Sequence, residues 1–216
     1  MHISSEIVFG YHGCDKIISD NVIKNGYPLG KSQNSYDWLG HGIYFWEGSY
    51  EQALDWANKN PKVNNPSVVG AIIKLCNCLD LLDTEHTKKL KVTYEILKKE
   101  LDELGQNIPK NKSIDKNGFS FSRELDCRVL MRLHELNNEQ IAKQLKIKKI
   151  TTKSKLEIQN HIQFIDSVRG MFPEGDELYP NAGFRIENHI QLCIINPNCI
   201  LGYFEPILTN KDYKKI

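Results

Sequence analysis

The sequence predicts an α+β domain, and three of its features carry that expectation. Runs with the residue types of strands stand at 6–12, 67–75 and 189–195. Segments with helical spacing fall between them. The resulting order (strand, helix, aromatic-glycine turn, helix, strand, helices, strand) alternates too irregularly for a βαβ series or a doubly wound sheet.

The stretch 6–12 is rich in β-branched and aromatic residues and ends at Gly13. Over 15–25, Ile17, Ile18, Val22 and Ile23 repeat at helical spacing, and Gly26 supplies a stop. Gly40 and Gly42 flank His41 and permit a tight turn, after which Ile43-Tyr44-Phe45-Trp46 runs as a short strand. A period of two puts Tyr44 and Trp46 on one face of it, with Ile43 and Phe45 on the other. The helix at 49–60 opens with the pair Ser49 and Gln52, in the spacing of a capping box, and ends before Pro61. After Pro66, 67–75 is an almost unbroken apolar run, suited to a buried strand.

Further along, Leu90, Tyr94, Leu97, Leu101 and Leu104 form one stripe of a helix over 84–104. The polar, lysine-rich 105–118 reads as an exposed loop, and Leu125, Val129 and Leu133 are in phase for a helix over 120–136. The last strand is closed by Asn196-Pro197-Asn198, a strong turn signal. With 216 residues and no internal repeat, the expectation is a single domain over 1–216 with a helical insertion at about 84–160.

Composition narrows the classes. A content of 40% hydrophobic and 25% charged residues is that of an ordinary soluble domain, and the net charge of +1 gives no pointer to nucleic acid or membrane. No run approaches the roughly 18 apolar residues that a bilayer requires. The six cysteines (14, 76, 78, 127, 193 and 199) form no CxxC pair, and Cys76-Asn77-Cys78 reads as strand alternation. The first residues carry neither a basic region nor an apolar core of a secretory signal. The expectation is therefore free thiols, a reducing cytoplasm and no metal.

Four features can carry chemistry. A histidine at a strand end followed by glycine, His12-Gly13, lets a ligand approach the backbone, and its imidazole can bond a sugar hydroxyl; taken alone, such a histidine is more often structural. The Tyr44 and Trp46 face offers aromatic surface to a planar ligand, or else is a packed hairpin. Trp56 is a second aromatic wall or a core anchor. Asn138 to Ile147 has the pattern of the first part of a helix-turn-helix, followed by Lys148, Lys149, Lys153 and Lys155, which can touch phosphates; a solvated helical segment is the commoner meaning.

The combination of Tyr11-His12-Gly13, Gly40-His41-Gly42-Ile43-Tyr44-Phe45 and an aromatic in the next helix resembles the NAD-binding signature of the ADP-ribosyltransferase superfamily. The similarity is to its histidine–tyrosine–glutamate branch, which includes diphtheria-type toxins and poly(ADP-ribose) polymerases, and more closely to small bacterial toxin-like members. It covers residues 6–60 and, more weakly, about 165–204. The resemblance implies a split mixed or antiparallel sheet with flanking helices, and NAD as co-substrate. It implies that His12 bonds the hydroxyls of an NAD ribose, that Gly13 and Gly42 belong to the cofactor-binding backbone, and that Tyr44 stacks on nicotinamide with Trp56 as a second wall. A planar cationic ring suits aromatic faces.

Two positions depart from the pattern. Cys14 stands where the family has serine or threonine, and a thiol is a weaker hydrogen-bond partner. Gln191 stands where the family has a glutamate at the start of a late strand, and an amide stabilises an oxocarbenium-like transition state less than a carboxylate does. If 187–193 is extended, Glu187, His189, Gln191 and Cys193 share a face, with Glu187 about 13 Å from Gln191 and too far to replace it. The stretch 169–177 reads as a loop whose Glu174 is able to fold back over the pocket and supply the missing charge.

The expected activity is thus NAD-dependent mono-ADP-ribosylation of a protein or nucleic-acid acceptor with release of nicotinamide, carried by His12, Tyr44, Gln191 and Glu174. The resemblance extends this to a toxin or anti-phage role with an antitoxin partner. The alternatives are an inactive module that binds NAD or ADP-ribose, and a nucleic-acid-binding protein that uses the basic helical segment.

Overall fold

The computed structural model describes residues 4–114 and 120–207. In chain order its elements are β1 (Ser4–Asp15), α1 (Lys16–Asn25), β2 (Ile43–Glu47), α2 (Tyr50–Lys59), β3 (Pro66–Cys76), β4 (Cys78–Asp80) and α3 (Thr84–Glu103). There follow β5 (Lys112–Ile114), β6 (Ser120–Ser122), α4 (Glu124–Gln144), α5 (Thr152–Gln159), β7 (Ser167–Phe172), β8 (His189–Ile194), a 3₁₀ turn (Pro197–Cys199) and β9 (Ile200–Phe204). Seven strands form one mixed sheet in the order β4-β7-β8-β2-β1-β3-β9. Only the β4–β7 pair in it is parallel, and β5 pairs with β6 in a separate hairpin. The fold is mixed α+β.

Local chemistry sets the boundaries. Asp15 ends β1 and caps α1, accepting from the Ile17 N–H, while its second oxygen takes the N–H groups of Asn64 and Asn65. Gly26, at φ 70°, ends α1 in the left-handed conformation that glycine adopts without penalty. Ser49 caps α2 through the Gln52 N–H. The reading of 105–118 as a loop and 120–136 as a helix changes: 112–114 and 120–122 pair as a hairpin, so the helix begins at Glu124, and 138–144 is its last part. Residues 115–118 of that loop, with 119 after it, lie outside the described residues.

Five strands, β4, β5, β6, β7 and β9, are absent from the sequence reading, and β7 is the informative one. Its residues Arg169-Gly170 break an apolar run, yet β7 lies between β8 and β4 with both ladders satisfied. Arg169 is neutralised by carboxylates of Glu47 and Asp80, and Gly170 leaves room for Leu39, whose Cδ2 would lie 2.9 Å from an added Cβ.

The two sheet faces bury separate cores. One gathers Val8, Ile43, Phe45, Val69, Ile73, Leu192 and Ile194 beneath Val22 of α1. The other gathers Leu39, Leu79, Val168, Phe172 and Cys193 against Leu130 and Leu133 of α4. A smaller cluster of Leu97, Leu101 and Val129 joins α3 to α4. Arg132, which reaches Glu100 with bonds of 2.9 and 2.7 Å and also meets Glu135 and Glu139, reinforces that joint.

Two outcomes are expected. In Gly13→Ala the new Cβ runs into the backbone carbonyl of Ala53 in α2, so denaturant unfolding should show a loss of about 1–3 kcal/mol. His134 is buried in α4 with its Nε2 unpartnered among the described residues, and burial, then the nearby His41, pulls its pKa down to about 4. The unfolded chain takes up this proton near pH 6.5 while the folded one does not, so stability present above that pH is lost on acidification toward 4. His134→Leu should shrink the difference in Tm between pH 7 and pH 5; an unchanged difference refutes it.

Candidate active site

The segments that carry the candidate residues are far apart in sequence, and the sheet makes them neighbours, because β8, β2 and β1 are consecutive. The β1–β2 ladder contains only Gly10↔Glu47 and Tyr11↔Trp46. Just past it, the His12 Nδ1 lies 2.8 Å from the Tyr44 carbonyl oxygen, so a side chain continues the contact between the two strands. A carbonyl only accepts, so the proton sits on Nδ1 and Nε2 keeps a lone pair. Burial lowers the His12 pKa, outweighing the carbonyl bond, and keeps the ring neutral.

On β2 and β8, Tyr44↔Cys193 and Trp46↔Gln191 are register pairs, and β7 sets Phe172 opposite His189. These side chains therefore share a face. A ladder of rings crosses it. Trp56 of α2 lies 5.8 Å from Trp46, Trp46 6.4 Å from His189, His189 5.7 Å from Phe172, and Phe172 4.6 Å from Trp38. The guanidinium of Arg123 closes it, 4.2 Å from the Trp38 centroid and 5.0 Å from that of Phe172. Beside this end lies a cavity of about 570 Å³ bordered by Trp38, Leu82, Arg123, Met171 and Phe172.

His189 is the centre of the polar group on this face. It is buried, and its Nδ1–H donates to the Glu187 carbonyl at 2.7 Å. Its Nε2 faces the Gln191 amide nitrogen at 3.1 Å and a Glu174 carboxylate oxygen at 3.7 Å. Glu174 is held there because its own carbonyl accepts from the Glu187 N–H at 3.0 Å, so the 173–188 connection turns back on itself. Burial lowers the His189 pKa against the raising effect of the Glu187 carbonyl, and the ring is neutral at pH 7.

The other sequence-derived residues divide. Gln191, Glu174 and Trp56 converge with Trp46 and His189. Tyr44 lies on the same face, but its hydroxyl is committed: it accepts from the Leu39 N–H and donates to the Gly40 carbonyl, each at 2.8 Å, and so locks the glycine turn. Burial drives its pKa far above the ordinary phenol value. Gly13 and Gly42 stand at close approaches within the protein, Gly13 against Ala53 of α2 and Gly42 against Cys193 and Ile194 of β8. His12 follows Tyr11, the partner of Trp46, and so leaves the opposite face, with Phe45 as its ring neighbour at 5.8 Å. Glu187 bonds Lys59 of α2 at 3.3 Å. The basic 148–155 stretch lies apart from the ladder, at the α4–α5 connection, and is largely exposed.

Sequence reasoning passed over His189 and Arg123 as site residues, and it offered Trp46 only as part of an aromatic face. The alternation of 187–193 already placed His189 beside Gln191, which was a usable signal. Nothing local points to Arg123, whose ring partners come from Trp38 and β7.

No protein-family model matches the chain, and neither a curated protein nor a solved structure matches it.

One titration reads this arrangement directly. Replacing the amide beside His189 Nε2 by a carboxylate in Gln191→Glu favours the imidazolium, so the His189 pKa followed by NMR should rise by about one unit or more. An unmoved titration would show that the two side chains do not meet in solution.

Proposed function

We propose that this chain is an NAD-dependent mono-ADP-ribosyltransferase. The observation that carries the reading is the meeting of three distant segments, ending at His12, Tyr44–Trp46 and His189–Gln191, on consecutive strands where the β1–β2 ladder stops. The motif resemblance needs this adjacency and does not itself supply it.

In this reading the cationic nicotinamide ring binds against the indoles of Trp46 and Trp56. As they stand, the two rings are 5.8 Å apart and tilted by 49°. A planar ring between them needs about 7 Å, twice a 3.5 Å contact, so Trp56, 43% exposed, turns outward to admit it. Tyr44 fixes the glycine turn and frames the pocket floor, while the His12 Nε2 accepts a hydrogen bond from a ribose hydroxyl at the strand gap. The bond between the nicotinamide nitrogen and ribose C1′ breaks, the electron pair leaves with neutral nicotinamide, and positive charge develops at C1′. The Glu174 carboxylate and the Gln191 carbonyl oxygen lie on the side where that charge is stabilised. An acceptor nucleophile then bonds to C1′ and releases its proton. The acceptor belongs to a protein or nucleic acid, and a cytoplasmic toxin or anti-phage role with an antitoxin partner is part of the same proposal.

A second reading, an NAD- or ADP-ribose-binding module without turnover, is favoured by Gln191, whose amide is engaged by His189. Nicotinamide release with protein and RNA acceptors, together with calorimetry of NAD binding, separates the two. For the transferase, Trp56→Ala, His12→Ala and Glu174→Gln should each lower kcat/KM at least about tenfold, on the order of 1.4 kcal/mol. Binding without release, with turnover gained in Gln191→Glu, supports the module. Neither binding nor release across a broad acceptor panel overturns both.

A further inference from the structure

At the other end of β8 from His189, three connections of the fold converge. Cys76 ends β3, Asp166 precedes β7, and Cys199 closes the 3₁₀ turn before β9. Their two Sγ atoms and a carboxylate oxygen all lie within 4.8 Å of one another, with Cys199 buried and the other two half-buried. Cys76 also holds φ at 55°, in the left-handed region that non-glycine residues seldom adopt.

Asp166 is aimed by its neighbours. One carboxylate oxygen accepts from the Asn196 side-chain amide at 2.7 Å and the other from the Asn77 N–H at 3.1 Å. Each oxygen retains a lone pair after one such bond. Asn196 is itself held by the Gln159 amide at 2.9 Å, and Asn77 donates to the Phe164 carbonyl at 2.6 Å. This is the kind of supporting shell that orients metal ligands. Two sulfurs and a carboxylate oxygen from three separate connections thus converge on one point, the donor arrangement of a soft cation site.

We propose that Cys76, Asp166 and Cys199 bind a thiophilic divalent cation of the zinc type, leaving one coordination position to water or a further donor. Two sulfurs with one carboxylate oxygen select such an ion over magnesium or calcium. Zinc–sulfur bonds of about 2.3 Å in a tetrahedron set sulfurs about 3.8 Å apart, within side-chain adjustment of the 4.8 Å spread. On binding, Cys76 and Cys199 each lose a proton to solvent as a sulfur–metal bond forms, Asp166 adds an oxygen–metal bond, and nothing is oxidised. The ion staples the β3–β4 turn to the connections before β7 and β9. The spacing of the cysteines gives no hint of the site, because its third ligand is an aspartate from a distant loop.

The test is titration of the full, reduced, metal-free chain with Co²⁺. Saturation should come at one equivalent, with sulfur-to-cobalt charge transfer in the near ultraviolet and tetrahedral bands in the visible, all displaced by Zn²⁺ and indifferent to Mg²⁺. Zn²⁺ should also protect the half-buried Cys76 from alkylation in the unmodified chain, a readout that needs no variant to fold. Cys76→Ser and Asp166→Asn should each weaken Co²⁺ binding tenfold or more, while Cys127→Ser leaves it unchanged. Absence of charge transfer in the reduced chain overturns the proposal, as does equal loss in Cys127→Ser. So does a Cys76–Cys199 disulfide in a chain that, once reduced, takes up no metal. The outcome is independent of the NAD reading.

Discussion

Arg169 spans β8, meeting Glu47 of β2 through paired bonds of 2.7 and 2.8 Å on one side and Asp80 of β4 at 3.0 Å on the other. Its guanidinium is held far above the pKa range in which it would release a proton, first by the hydrogen bonds to Glu47. The fork geometry fixes direction as well as distance. Four strands are thereby set in register from the face opposite the ring ladder. β8 is the one clamped between, so the positions of His189 and Gln191 depend on an interaction that neither of them makes. A half-buried cluster of one cation and two anions is costly to desolvate, and its gain lies in specifying one register.

That constraint explains which parts of the fold are legible in the sequence. β1, β2, β3 and β8 announce themselves through β-branched and aromatic runs, and α1 and α2 through Asp15, Ser49 and Gly26 at their ends. β7 does not, because an arginine and a glycine in six residues look like a loop until Glu47, Asp80 and Leu39 are in place around them. The helix begun at 120 fails for a related reason: Ser120 to Ser122 follow a strand partner, Lys112 to Ile114, that no local pattern reveals.

The candidate site divides along the same line. Gln191 is proposed through the family resemblance, Glu174 through the charge that the resemblance leaves missing, and Trp56 from its place in the helix after the aromatic turn. Their joint dependence on His189 is a matter of three-dimensional packing, since its neighbours come from β2, β7 and the 173–188 connection. Tyr44 shows the converse. Its residue type and position fit a ligand-facing ring, yet its hydroxyl closes the turn built by Leu39 and Gly40, so one side chain holds both the framework and the face next to it.

The α3–α4 joint carries a consequence of another kind. Leu97, Leu101 and Val129 form their own small core, and the bonds of Arg132 to Glu100, Glu135 and Glu139 stay within these two helices. Leu90 is shared with the core beneath the sheet. Leu130 and Leu133 tie α4 to that sheet core, whereas the later half of α3 packs on α4 through Leu97 and Leu101, so that half can exchange its amide protons through an opening that leaves the sheet intact. Sequence change on the outer faces of those helices is then absorbed locally, and the strands that carry the ring ladder do not register it.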